Sequence, residues 1–112
     1  MEASDMRAQL KLIRQKTGIG VLRAVYRLFK NKKRWTQKEF AKDVHGNSVS
    51  TRDERAVCFC VDGALCRLSA NSYLEAFALL DAVCDDYITV NDSRNGYAKI
   101  MHALRQAIKA AS

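Results

Sequence analysis

Proline is absent from the chain, where ordinary usage would place about five or six in 112 residues. Helices therefore run without their strongest breaker, although this absence permits helix rather than directing it. No run of apolar residues approaches the ~20 needed to cross a bilayer. The opening residues, MEASDMRAQLKL, lack an apolar core segment and carry Glu2 and Asp5, so they do not read as a secretory leader. The expectation is a cytoplasmic protein without membrane contact, whose four cysteines stay as thiols in a reducing compartment. Internal repeats and low-complexity stretches are also missing. The length suits a single domain over residues 1–112, with residues 1–18 as a loosely attached basic N-terminal helix. An apolar content of 48% is enough for a folded core without metal or disulfides. Nothing in the composition sets an oligomeric state.

Acidic residues are scarce in the first third of the chain. Residues 1–42 hold twelve Lys/Arg against three Asp/Glu, a net of +9, whereas residues 43–112 hold seven against nine, a net of −2. The asymmetry points to an acidic partner for the N-terminal third: nucleic acid, a membrane surface or an acidic protein. The plainer reading is a solvated charged face with no partner.

Helical periodicity organises those charges. Ser4 can cap a first helix of about twelve residues, with Met6, Leu10 and Ile13 inward and Arg7, Lys11 and Arg14 in one basic stripe. TGIG at 17–20 ends it. A second helix over about 20–31 has Leu22, Val25, Tyr26 and Phe29 at core spacing and repeats the stripe with Arg23, Arg27 and Lys30. Lys32, Lys33 and Arg34 extend it. Thr51–Glu54 has the form of a capping box and predicts a helix over about 53–69, apolar nearly all round. Ser72–Glu75 is a second such box, opening a helix over about 73–86. YITV at 87–90 reads as a short strand or extended loop, Asn91–Gly96 as a turn, and 96–110 as a last helix with Ile100, Leu104, Ala107 and Ile108 inward.

Few side chains have a spacing that carries chemistry. Cys58, Cys60, Cys66 and Cys84 contain no C-x₂₋₄-C pair, so no metal site is expected and no cofactor is implied. A cysteine nucleophile can be assembled on paper from Cys60, with His102 as base and Asn91 or Asp92 orienting it. Buried cysteines packing as small hydrophobes are the simpler account. TGIG lacks the third glycine of a nucleotide loop, since Arg23 stands there. NDSRNGY at 91–97 lacks the acidic ligands of a calcium loop, with His102 where a bidentate Glu is needed. Asp62 lies within the apolar helix. The simpler expectation places it on a solvent-exposed face; otherwise it pairs with an arginine or caps a neighbouring segment.

RWTQKEFAKDVHGNSVS invites comparison with a helix-turn-helix. Thr36, Gln37, Phe40 and Ala41 fit, but four residues rather than three separate Ala41 from Gly46. One extra residue turns whatever follows by about 100° on a helix. SVST also suits a strand or cap better than the interior of a recognition helix. VHGNSV reads better as a turn between short strands over about 40–44 and 47–50, with Trp35 sealing the core beside it.

Three ordered blocks complete the pattern: Trp35, Thr36, Phe40, Ala41, Asp43 and Gly46; then Cys58, Phe59, Cys60, Gly63, Ala64 and Leu65; then Asn91 and Asp92. Over about residues 22–109 they resemble an uncharacterised bacterial and phage domain family with W-T-x3-[YF]-A-[RK]-D, C-[WF]-C-x2-G-A-[LI] and W-N-D blocks. Val90 stands where that family often has Trp. The resemblance implies no catalytic residue. It does imply that Trp35, Asp43, Cys60 and Asp92 belong to one recurring arrangement.

The expected fold is mainly α: one compact domain of about five helices with a short two-stranded hairpin near 40–50. The expected function is a small basic non-enzymatic binding module that contacts nucleic acid or an acidic protein. The contact would run through Arg7, Lys11, Arg14, Arg23, Arg27, Lys30, Lys33 and Arg34. The rivals are a phage-borne accessory or inhibitor protein that docks on another protein, and a cysteine-dependent hydrolase using Cys60, His102 and Asp92.

Overall fold

A computed structural model describes residues 12–112. Arg7, Lys11 and most of the expected first helix lie outside the described residues. The remainder is a compact set of five helices and one short antiparallel strand pair, as the sequence anticipated. In chain order these are α1 (Gly18–Phe29), β1 (Ala41–Lys42), β2 (Cys58–Phe59), α2 (Val61–Leu68), α3 (Tyr73–Asp81), α4 (Tyr87–Asn91) and α5 (Gly96–Ala111). A single 3₁₀ turn, Lys32–Arg34, follows α1.

Helix α1 is the centre of the packing and lies against α2, α3 and α5. It begins where TGIG looked like a break, because the Thr17 hydroxyl accepts the Gly20 amide at 3.0 Å and caps it. Val21, Leu22, Val25 and Phe29 are fully buried, and Tyr26 lies at the edge. Leu65, Leu80, Ile100, Leu104 and Tyr87 meet them from the other four helices. Each such aliphatic side chain contributes about 1.5–3 kcal/mol by leaving water.

Residues 12–14 are not helical, and Gln15 pairs with Ser69 in a parallel bridge. The Gln15 amide donates to Leu68 O at 2.7 Å, and Gln15 O accepts from Ala70 N and the Ser72 hydroxyl. Arg14 therefore sits in extended chain clipped to the end of α2, not on the expected helical stripe. Both supposed capping boxes are used differently. Ser72 holds Gln15, and Glu75 accepts the Gly18 amide at 2.6 Å, so this pair fastens α1 to α3. Near Thr51, Ser50 and Asp53 close tight turns by accepting the Arg52 and Arg55 amides. The central helix starts eight residues later than that box implied, at Val61, capped by the Cys60 thiol, which accepts from Gly63 N.

The turn at Gly46 is present, with φ of 82° and Asp43 accepting from the His45 and Asn47 amides. Lys42 and Ser48 form one antiparallel bridge across it. The strand partner of β1 is β2, in the register Ala41–Phe59 and Lys42–Cys58. YITV is helical rather than extended: α4 buries Tyr87 and Asn91, four residues apart on one face. Asp62 is not solvent-exposed but 7% accessible, and its partners are tyrosines rather than an arginine. The Tyr73 and Tyr87 hydroxyls each donate to Oδ1 at 2.7 Å, so one carboxylate joins α2, α3 and α4. Burial, then the bond to Asp62, pushes Tyr73 up to about 12 and Tyr87 higher still. Both hydroxyls thus remain donors.

Candidate functional site

The three sequence blocks meet at Asn91, which is 1% accessible. Its Oδ1 accepts from the Trp35 indole at 2.8 Å and from Val61 N at 2.9 Å. Its Nδ2 donates to Thr36 O at 3.0 Å and to Asp92 Oδ1 at 3.1 Å. Gln37 donates to the carbonyls of Asn91 and Ser93, and Lys38 N donates to Asp92 Oδ1 at 2.8 Å. That last bond holds Lys38 at φ 71°, a conformation costing a non-glycine residue about 1–3 kcal/mol. Two glycines let backbones close around this centre. A Cβ on Gly63 would collide with Phe40 O, and one on Gly96 with Asn91 O. Among the described residues, no buried side-chain polar atom lacks a partner. This centre is therefore structural: its hydrogen-bonding capacity is spent inward.

A small cavity of about 80 Å³ lies beside it, lined by Phe40, Cys60, Val61, Ile88, Asn91 and Asp92 among others. Cys60 and Asp92 thus come together as the hydrolase reading needs. His102 does not join them: it is exposed on α5 and does not line this cavity. The Cys60 thiol is 7% accessible and already caps α2. Burial pushes it up to about 11, away from the thiolate a nucleophile requires. Burial likewise raises Cys58, Cys66 and Cys84. Among the described residues, no three His, Cys, Asp or Glu side chains gather as a metal would require.

The basic residues separate into three groups. Arg23 and Arg27 of α1 face Arg105 and Lys109 of α5 across an open groove of about 370 Å³, floored by Tyr26 and Ile108. Neither helix contains an Asp or Glu. Lys30 continues the line, its ammonium 5.4 Å from the Tyr26 ring centre. Lys33 lies elsewhere, in a cleft of about 280 Å³ shared with Lys42, Asp43 and Cys58. Arg34 leaves the expected surface altogether. It is 5% accessible, donates to Val57 O at 3.1 Å, and burial lowers its guanidinium below the ordinary value.

Arg105 and Lys109 were not among the candidates from sequence. Their i, i+4 spacing marked one helix face, but only the packing of α5 on α1 sets them opposite Arg23 and Arg27. Asn91 carried a weak signal as a member of the third block. Its role in joining all three depends on tertiary contact.

Residues 14–110 match the model of a family of unknown function (DUF6197). No curated protein and no solved structure matches the chain. No helix of the described residues is long and apolar enough to cross a membrane.

Proposed function

The chain belongs to this family of unknown function, and we propose that it is a small non-enzymatic module, cytoplasmic, that binds nucleic acid through the α1/α5 groove. The observation that supports this is the meeting of Arg23, Arg27, Arg105 and Lys109 in one groove whose two helices contain no carboxylate. Four cations on two helices that carry no Asp or Glu repel one another, and a phosphate backbone relieves that repulsion while releasing its own counterions. The reading shifts the binding surface from the N-terminal charges alone to α1 together with the C-terminal helix.

Fluorescence anisotropy with labelled DNA and RNA at 50 and 200 mM salt tests it. Four phosphate contacts lower affinity by about a hundredfold over that range, and Arg27→Ala with Arg105→Ala flattens the log–log slope by about 1.5. Equal binding at both salts, or none at either, overturns the reading.

A second reading, docking on a protein, rests on a different surface. Leu74 is 76% exposed, and Phe77 and Ile88 are 37% and 44% exposed. Pull-down from lysate with and without nuclease separates the two: partners retained after nuclease favour protein docking.

A further inference from the structure

The groove does not end at Arg27. α1 and α5 run antiparallel, as two contacts show: Arg23 donates to the Ser112 hydroxyl at 3.3 Å, and the Tyr97 hydroxyl donates to Phe29 O at 2.5 Å. The first contact lies at the groove. The second borders another open cleft, also of about 370 Å³, lined by Lys32, Trp35, Lys38, Asp92, Arg94 and Tyr97 among others. This cleft has a different character. It presents two aromatic rings, Trp35 and Tyr97, set edge to face with centres 5.5 Å apart. Three cations surround them against one carboxylate, and that carboxylate already accepts from Lys38 N and Asn91. The Lys32 ammonium lies 5.2 Å from the centre of the Tyr97 ring and has no ion pair among the described residues.

Rings and cations thus alternate along one seam: Tyr26 with Lys30, then Tyr97 with Lys32, then Trp35 with Arg94 beside it. From Tyr97 to Lys109 the seam spans roughly 18 Å at the rise of an α-helix, longer than one nucleotide, so the ligand it fits is a polymer. We infer that the Trp35–Tyr97 cleft seats an unpaired base of a single-stranded nucleic acid whose phosphates lie along the α1/α5 groove, an inference that rests on the nucleic-acid reading above. A duplex hides the faces of its bases and leaves the two rings without a partner. A single strand offers a face to every ring, and stacking of this kind tolerates any sequence. The left-handed backbones of Lys38 and Asn95, φ 71° and 61°, both border the cleft.

Trp35 is the chain's one tryptophan, so its emission reports this cleft alone. The full chain is titrated at 50 mM salt with a labelled 15-nucleotide single strand and with the duplex of the same sequence. The expected result is single-strand binding at least about tenfold tighter than duplex binding, with saturable quenching of Trp35 by the single strand only. Tyr97→Leu weakens single-strand binding about tenfold and leaves duplex binding unchanged, while Tyr97→Phe, which keeps the ring, stays near the parent. Lys32→Ala removes an exposed cation whose side chain touches the Tyr97 ring but makes no hydrogen bond or ion pair among the described residues, so it tests the cleft even where the Tyr97→Leu protein does not fold. Its expected effect is a several-fold loss for the single strand. Equal affinity for both forms without change in Trp35 emission, or a Lys32→Ala protein binding as the parent does, overturns the inference and leaves salt-sensitive groove binding intact. Failure of both forms to bind removes the inference together with the reading beneath it.

Discussion

Asn91 and the α1/α5 groove are both rich in polar groups and treat them in opposite ways. At Asn91, donors and acceptors from three chain segments face inward, and each is matched by a partner from another segment. In the groove, Arg23, Arg27, Arg105 and Lys109 face solvent, with no acidic residue in either helix to meet them. Matched polar groups in the interior fix one arrangement of the chain, since any slip strands a buried donor. Unmatched charges on the surface contribute nothing to that arrangement and slightly oppose it. The difference separates what holds this fold from what the fold presents.

The largest expected effect comes from breaking the matched side. Asn91→Leu keeps the branched shape, adds some bulk, and strands the Trp35 indole and the Val61 amide at the start of α2. Leaving two buried donors unsatisfied costs about 3–5 kcal/mol, read as a fall in the denaturant midpoint. A loss below about 1 kcal/mol would mean that water takes the amide's place, and the centre would no longer count as structural. Asn91→Asp retains an acceptor for those two donors but loses the bonds to Thr36 O and Asp92 Oδ1 and sets a second carboxylate against Asp92, so its loss is comparable.

Asp62 extends the comparison into the core and gives the next largest effect. Its carboxylate is an interior charge held by two tyrosine hydroxyls, one from α3 and one from α4. Asp62→Asn preserves shape but replaces charge-assisted bonds with neutral ones, a loss of about 1–2 kcal/mol in chemical denaturation. Tyr73→Phe and Tyr87→Phe then cost less when combined with Asp62→Asn than in the parent, because the shared acceptor is already weakened. Additive losses would show that the three side chains do not act as one group.

The contrast also explains what was legible in the sequence. Val25 and Phe29 in α1, and Ile100 and Leu104 in α5, announced their burial through a 3.6-residue period that packing then used directly. Arg23, Arg27 and Lys30 were visible for the same reason, which is why one wall of the groove could be read and the other could not. The start of α2 was hidden because residues 56–61, AVCFCV, are a short apolar run that periodicity cannot assign to strand or helix. Thr51 and Glu54 then suggested the wrong boundary, where the chain instead makes turns closed by Ser50 and Asp53. Tyr87–Val90 carries β-branched residues, yet it is helical, and the helix sets Tyr87 and Asn91 one turn apart against Asp62 and Trp35. Arg34 ended a run of three cations whose local sequence does not distinguish its fate from that of Lys33. Its burial follows from the carbonyl of Val57, distant in sequence. Local pattern thus reported faces of helices, and long-range hydrogen bonds decided everything assembled between segments.

The smallest expected effect sharpens the comparison from the groove side. If its cations serve a ligand rather than the fold, Arg27→Ala with Arg105→Ala changes stability by no more than about 0.5 kcal/mol, since both side chains are exposed and neither has an acidic partner among the described residues. The sign is informative as well as the size. Removing two of four like charges relieves repulsion, so the variant is equal to or slightly more stable than the parent at low salt. The gap then closes as salt rises and screens the remaining cations within a Debye length of about 10 Å at 0.1 M. Thermal unfolding of both proteins at 10 mM and 300 mM salt measures it. A variant less stable than the parent by more than about 1 kcal/mol would mean that the arginine stems cover the Tyr26–Ile108 floor and support α1 against α5. The groove would then belong with Asn91, among the parts that hold the fold.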